Sequence, residues 1–124
     1  MSAVLAALDT GRQPERADLR DAVRTLLTTL RRVAPGRSVE VRVPPYGAIQ
    51  CVEGPTHTRG TPPNVVECDA VTFVLLATGR LEWGTAVAAG RVRASGIRAD
   101  LTPYLPLIGP DEGSDGGVWP ETRH

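Results

Sequence analysis

Asp69-Ala70-Val71-Thr72-Phe73-Val74-Leu75-Leu76-Ala77-Thr78-Gly79 is the stretch on which the fold turns. Its β-branched residues and Phe73 suit a strand. Asp69, however, is a good helix N-cap, because its carboxylate can accept from the unpaired amides of a first turn. Gly79 suits the position just past a helix C-terminus, where a left-handed conformation is needed. The two ends together predict a helix from Ala70 to Thr78. That helix is apolar nearly all round, so it should be buried on most sides, between layers or lining a cavity.

Upstream lies a short strand, Val65 to Cys68, preceded by a loop, 54–64, that its prolines and glycines keep irregular. Ser38 to Val43 alternates with period two, a half-buried strand, and Pro44-Pro45-Tyr46-Gly47 turns it into a return strand from Ala48 to Glu53. Before these, Leu19, Ala22, Val23, Leu26, Leu27, Leu30, Val33 and Ala34 recur at steps of three and four. They form the apolar stripe of an amphipathic helix from Ala17, with Arg16, Arg20, Arg24, Arg31 and Arg32 off it and Pro35-Gly36 at its end. The first twelve residues add at most a short helical turn, set apart by Gly11 and Pro14.

Downstream, Leu81-Glu82-Trp83 reads as a short strand, Gly84 to Ala89 as a helical turn closed by Gly90, and Arg91 to Ser95 as a last alternating strand. Ile97, Leu101, Tyr104, Leu105 and Ile108 continue at helical spacing, in a segment that Pro103 and Pro106 kink or shorten. The reading is therefore α+β, one domain over 1–108 with a mixed sheet of about five strands and helices covering one face. Residues 109–124, rich in Gly, Asp and Ser, read as a flexible tail with Trp119 free to dock back.

The chain has 124 residues, one domain's worth, with 23% charged and 41% hydrophobic residues. Acidic and basic residues number 14 each, and every basic residue is Arg, which reads as codon bias in a high-GC genome. The neutral balance argues against a nucleic-acid partner and against a surface that clings to anionic headgroups. The N-terminal stretch lacks the basic and apolar regions of a signal peptide, and no segment approaches the roughly 20 apolar residues of a membrane span. A cytoplasmic location is expected, where Cys51 and Cys68 serve as small buried hydrophobes.

Catalytic chemistry is hard to assemble from these residues. Cys51, His57 and Cys68 match no zinc spacing, and His57 has no nucleophile or carboxylate at a recognisable distance along the chain. No glycine-rich phosphate loop follows a strand, so neither metal nor cofactor is expected. Symmetric pairing of strands about the 54–64 loop would set Cys51 nearly opposite Cys68, a pair better read as gap-filling than redox-active. Asp69, Arg80 and Asp100 admit two readings. They are a headgroup clamp, or else two helix-start residues and a paired or solvated arginine, and the second is favoured.

Asp69, Gly79-Arg80-Leu81, Trp83, Ala86, Gly90-Arg91-Val92, Ala94-Ser95-Gly96, Ala99-Asp100-Leu101 and Leu105-Pro106-Leu107 resemble the C-terminal half of sterol carrier protein type 2 domains. The chain looks like a bacterial member of that family, and is similar also to the C-terminal domain of mycothiol-dependent maleylpyruvate isomerases. The resemblance implies a five-stranded sheet with helices on one face and an apolar tunnel for lipids or acyl groups. It points to a non-enzymatic carrier of a lipid or other apolar ligand, with Phe73, Leu75, Leu76, Trp83, Leu101 and Leu105 as the expected lining. The alternative is a filled-core module for protein–protein interaction or homodimerisation. A third is a degenerate relative of the isomerases.

Overall fold

In the computed structural model, which describes residues 1–55 and 64–108, an Asp69 Oδ1 atom accepts a hydrogen bond from the Thr72 amide at 2.7 Å. The crossover segment is therefore helical, α3, running Ala70–Ala77, with only Val71 and Leu75 less than fully buried. The other elements are α1 (Ser2–Asp9), α2 (Arg16–Val33), β1 (Val39–Val43), β2 (Gly47–Cys51), β3 (Asn64–Cys68), α4 (Trp83–Ala88), β4 (Val92–Ser95) and a 3₁₀ turn at Thr102–Tyr104.

The sheet is mixed, with strand order β2-β1-β3-β4. β1 pairs antiparallel with β2 and parallel with β3, and β3 pairs antiparallel with β4. Val39, Val41 and Val43 of β1 and Asn64, Val66 and Cys68 of β3 face inward and are buried. The opposite face carries a charged ladder set by register, Arg42 beside Glu67 beside Arg93. Glu67 lies 3.9 Å from Arg42 and 3.6 Å from Arg93, and Arg42 also donates to Glu40 at 3.1 Å. Pairs this exposed add little stability, but they mark that face as the solvated one. Helices cover the other: α2 packs on the sheet and on α3, with α1 against α2.

The α2 stripe is buried at Leu19, Ala22, Val23, Leu26, Leu27 and Leu30, while Val33, expected in the stripe, is 48% exposed on the last turn. α1 is more than the short turn anticipated, because Val4, Leu5 and Ala7 are buried beneath it.

Four other expectations need correction. The sheet has four strands among the described residues, not five, because Leu81-Glu82-Trp83 is not a strand. The Leu81 amide is held by the Leu75 carbonyl at 3.1 Å, and Trp83 already starts α4. The terminal helix shrinks to one 3₁₀ turn. Pro103 and Pro106 bring no amide hydrogen, and Leu105 before Pro106 is extended, as a residue preceding proline should be. Ile97 is 97% exposed rather than part of an apolar stripe. Finally, Cys51 does not face Cys68: Cys51 registers with Val39 and Cys68 with Val92, and β1 runs between their strands.

The reason for the last correction is local. Val52 follows β2 with φ +68 and Gly54 with φ +152, so the chain turns out of the sheet instead of making a second hairpin. A β-branched residue is strained at positive φ and persists there only if its surroundings fix it. The Val52 amide donates to the Ala34 carbonyl at 2.7 Å, and its carbonyl accepts from the Ser38 amide at 3.1 Å and the Ser38 hydroxyl at 2.8 Å. The Ser38 carbonyl in turn accepts from Asn64 Nδ2 at 2.8 Å, and Asn64 Oδ1 accepts from the Arg98 amide at 2.9 Å. One buried polar chain thus ties the ends of β1, β2 and β3 to the segment after β4. Most of the 54–64 loop, His57 included, and the 109–124 tail with Trp119 lie outside the described residues.

Candidate functional site: a pocket at the end of the crossover helix

α3 ends where Gly79, at φ +78, lets the chain reverse. The Gly79 amide donates to the Leu76 carbonyl at 3.3 Å and the Arg80 amide to the Leu75 carbonyl at 2.8 Å, the paired bonds that close a helix over a left-handed residue. This turn delivers Arg80 and Leu81, then α4 with Trp83 at its start. Opposite them, the Leu107 and Ile108 amides both donate to the Ala77 carbonyl, at 2.8 and 3.1 Å, pinning the segment after the 3₁₀ turn beside α3. Between these walls lies an open-mouthed pocket of about 660 Å³, lined on its apolar side by Leu76, Leu81, Trp83, Leu105 and Pro106. Gly79, Arg80, Glu82, Gly84 and Thr102 complete it.

Of the residues expected to line a cavity, the structure brings Leu76, Trp83 and Leu105 together here. Phe73 and Leu101, each 2% exposed, lie in the hydrophobic core, and half-buried Leu75 is not part of the lining. Leu81, Pro106, Glu82 and Thr102 were not foreseen as lining, whereas Arg80 figures in the sequence reading as a headgroup clamp set aside in favour of a paired or solvated arginine. A second pocket, about 490 Å³, sits near β2 and is bordered by Arg31, Arg37, Glu40 and Gln50 together with Gly36, Ala48 and Ile49.

Arg80 is held firmly. Its Nε and Nη2 donate to the two carboxylate oxygens of Asp9 at 2.7 and 2.9 Å, a bidentate pair that fastens the end of α1 to the pocket wall. The hydrogen bond from Arg80 keeps the Asp9 carboxyl below its ordinary range, so the pair stays charged at neutral pH. Nη1 of Arg80 is buried and has no hydrogen-bond partner among the described residues. Asp69 caps α3, and Asp100 accepts from the Thr102 amide at 2.9 Å at the start of the 3₁₀ turn, so both act as helix-start residues. The Thr102 hydrogen bonds hold the Asp100 carboxyl below its usual range.

Burial pushes the Cys51 thiol up to about 11 and the Cys68 thiol up to about 12, with Asp69 and Glu67 adding to the rise at Cys68. Both thiols are therefore neutral and poorly nucleophilic at pH 7. Iodoacetamide should leave both untouched in the folded protein and alkylate both after unfolding in urea. Rapid alkylation of native protein would contradict the buried placement. The sign of the linkage is also fixed. Unfolded thiols ionise near 9.0, while the folded ones hold their protons to about 11 and 12, so this contribution to stability is complete below pH 9 and is lost as pH rises towards those values.

Among the described residues no group of three or more His, Cys, Asp or Glu could hold a metal ion, and no helix is long and apolar enough to cross a membrane. A search of curated proteins finds no match. The family model described as bacterial SCP ortholog matches residues 15–107, a span that takes in α2, the whole sheet, α3, α4 and the pocket. The chain belongs to this bacterial sterol carrier protein-like family.

Proposed function

We propose that the chain is a non-enzymatic carrier: one sterol carrier protein-like domain over residues 1–108 that takes a lipid or other apolar small molecule into the pocket at the end of α3. The observation that carries this reading is the pocket itself. Its volume of about 660 Å³ falls among those of small-molecule sites, and apolar surface moderately exceeds polar surface on its walls. Each methylene group moved from water onto such walls gains about 0.8 kcal/mol, so binding needs no catalytic residue. Membership of a family of carrier type supports the same conclusion, and a cytoplasmic setting is part of the proposal.

Gly84 provides a clean test. A Cβ added there would meet nothing within 4 Å, and the residue lines the pocket near the start of α4. Gly84→Leu should fill the pocket while holding or raising the melting temperature, since leucine is the better helix former. Native mass spectrometry of protein from a bacterial host should show a co-purified apolar ligand, and Nile red should bind. Both signals should disappear in Gly84→Leu. No co-purified ligand, with no apolar probe binding more tightly than about 100 μM, roughly −5.5 kcal/mol, would sink the carrier reading.

The interaction or homodimerisation reading draws on a different observation. Phe73, Val74, Leu26 and Leu101 fill the space between helices and sheet, so the pocket lies at the end of the helical layer and not as a tunnel through it. β4 is an edge strand with exposed Ile97 just beyond it. A dimer in sedimentation velocity, broken by Ile97→Asp with no change in Nile red binding, would favour this second reading.

A further inference from the structure

The groove of about 490 Å³ beside β2 shares no lining residue with the pocket at the end of α3. Ala48, Ile49 and Gln50 all border it. Side chains of consecutive strand residues point to opposite faces of a sheet, so a groove bordered by all three runs along the edge of the strand. β2 is an outer strand that pairs only with β1 among the described residues, so alternate residues turn their amides and carbonyls outward with no ladder partner. Its residues, Gly47 to Cys51, include no charge and no proline, the usual means of keeping such an edge unpaired. β4, at the other edge, carries the exposed Arg93.

Two arginines flank this edge. Arg37 Nε donates to Gln50 Oε1 at 3.2 Å, and Gln50 registers with Glu40 on the solvated face of the sheet. Arg31 stands on the last turn of α2, the helix that packs on the opposite face. Neither is paired with a carboxylate among the described residues. Glu40 also borders the groove, but Arg42 holds its carboxylate at 3.1 Å. We propose that this edge receives a strand from a protein partner, an extended segment with two successive acidic residues. The segment pairs with β2 through its backbone and sets one carboxylate toward Arg37 and the next toward Arg31. Successive side chains of a strand lie on opposite faces, as the two arginines do. The row of backbone groups favours a peptide, because neither a lipid headgroup nor a free phosphate offers the alternating donors and acceptors that match it. The arginines also choose between peptides. A second copy pairing β2 with β2 would bring its own Arg31 and Arg37 against these, like charge on like.

The test is fluorescence anisotropy of a labelled, end-capped peptide, Thr-Val-Glu-Glu-Val-Thr, titrated with the full chain. This peptide should bind, and one with lysine in place of both glutamates should not. The double variant Arg31→Gln, Arg37→Gln changes two exposed residues, so it should keep its melting temperature and weaken binding about tenfold, as the loss of two exposed ion pairs would. Methylating one alternate set of the peptide's amides should abolish binding, and methylating the other set should leave it unchanged, because only every second amide of a docked strand faces β2. Nile red binding should be the same throughout, which keeps this outcome separate from that of the carrier pocket. Absence of binding at about 1 mM acidic peptide overturns the proposal. Equal affinity for the lysine peptide, equal affinity in the double variant, or equal loss from either methylation does so too. Displacement of the peptide by millimolar phosphate at constant ionic strength would mark a plain anion site, and capture of anionic lipid vesicles without the peptide would mark a membrane surface. Either overturns the proposal, as does a dimer in sedimentation velocity that shuts the peptide out.

Discussion

Replacing Gly36 by alanine should destabilise the protein by at least about 4 kcal/mol, a loss that many small domains do not survive. Gly36 sits at φ +144, where side chains are strained. The added Cβ would also lie 2.2 Å from the carbonyl carbon and oxygen of Val52 and 2.4 Å from the Glu53 nitrogen. These are backbone atoms, and the Val52 carbonyl is held by both the amide and the hydroxyl of Ser38, so it has nowhere to retreat. Either the urea midpoint should fall steeply or no folded protein should be recovered. A loss under about 1 kcal/mol would mean that Val52 does not lie over Gly36.

Phe73→Ala should cost about 3–5 kcal/mol, the usual range for emptying a well-packed aromatic site. Phe73 heads the fully buried side chains and shares the core with Leu26, Leu30, Val41, Val66 and Leu101. The same substitution separates two pictures of the molecule. If Phe73 lined an open tunnel, truncation would widen the tunnel, cost little and change ligand affinity. In the packed core it should lower stability sharply and leave Nile red affinity unchanged in whatever fraction stays folded. Paired denaturation and binding curves on the variant would show which holds.

The helices were the legible part of this sequence because their signals are local. Steps of three and four from Leu19 to Leu30 mark a face, and Asp69 with Gly79 marks both ends of α3. The pairing of strands was not legible. Alternation in Val39, Val41 and Val43 tells which side chains point inward, but not that β1 takes β3 rather than a further antiparallel strand as its second neighbour. That choice depends on Val52 at positive φ, fixed by backbone groups of Ala34 and Ser38 and by the Ser38 hydroxyl, contacts that no spacing along the chain marks. The pocket was half legible for a related reason. A helix without a polar face gives no mark of which side meets the core, so Phe73, Leu75 and Leu76 looked alike although only Leu76 reaches the pocket. The Asp9–Arg80 pair joins α1 to the turn after α3, a contact that no spacing rule foretells.

The strand order β2-β1-β3-β4 also governs how quickly such a chain can find its fold. Only β1 and β2 meet across a short turn. The central parallel ladder must wait while the whole of β2 and the loop after it are set aside, and β4 can join only after α3 and α4 have been traversed. Loop-closure entropy is thus met early, before the contacts that offset it exist. Proteins dominated by such distant pairings fold orders of magnitude more slowly than helical bundles of similar stability. From this topology the capture of β3 by β1 is the step expected to set the folding rate, with the α2 stripe offering a surface for the two strands to collapse upon.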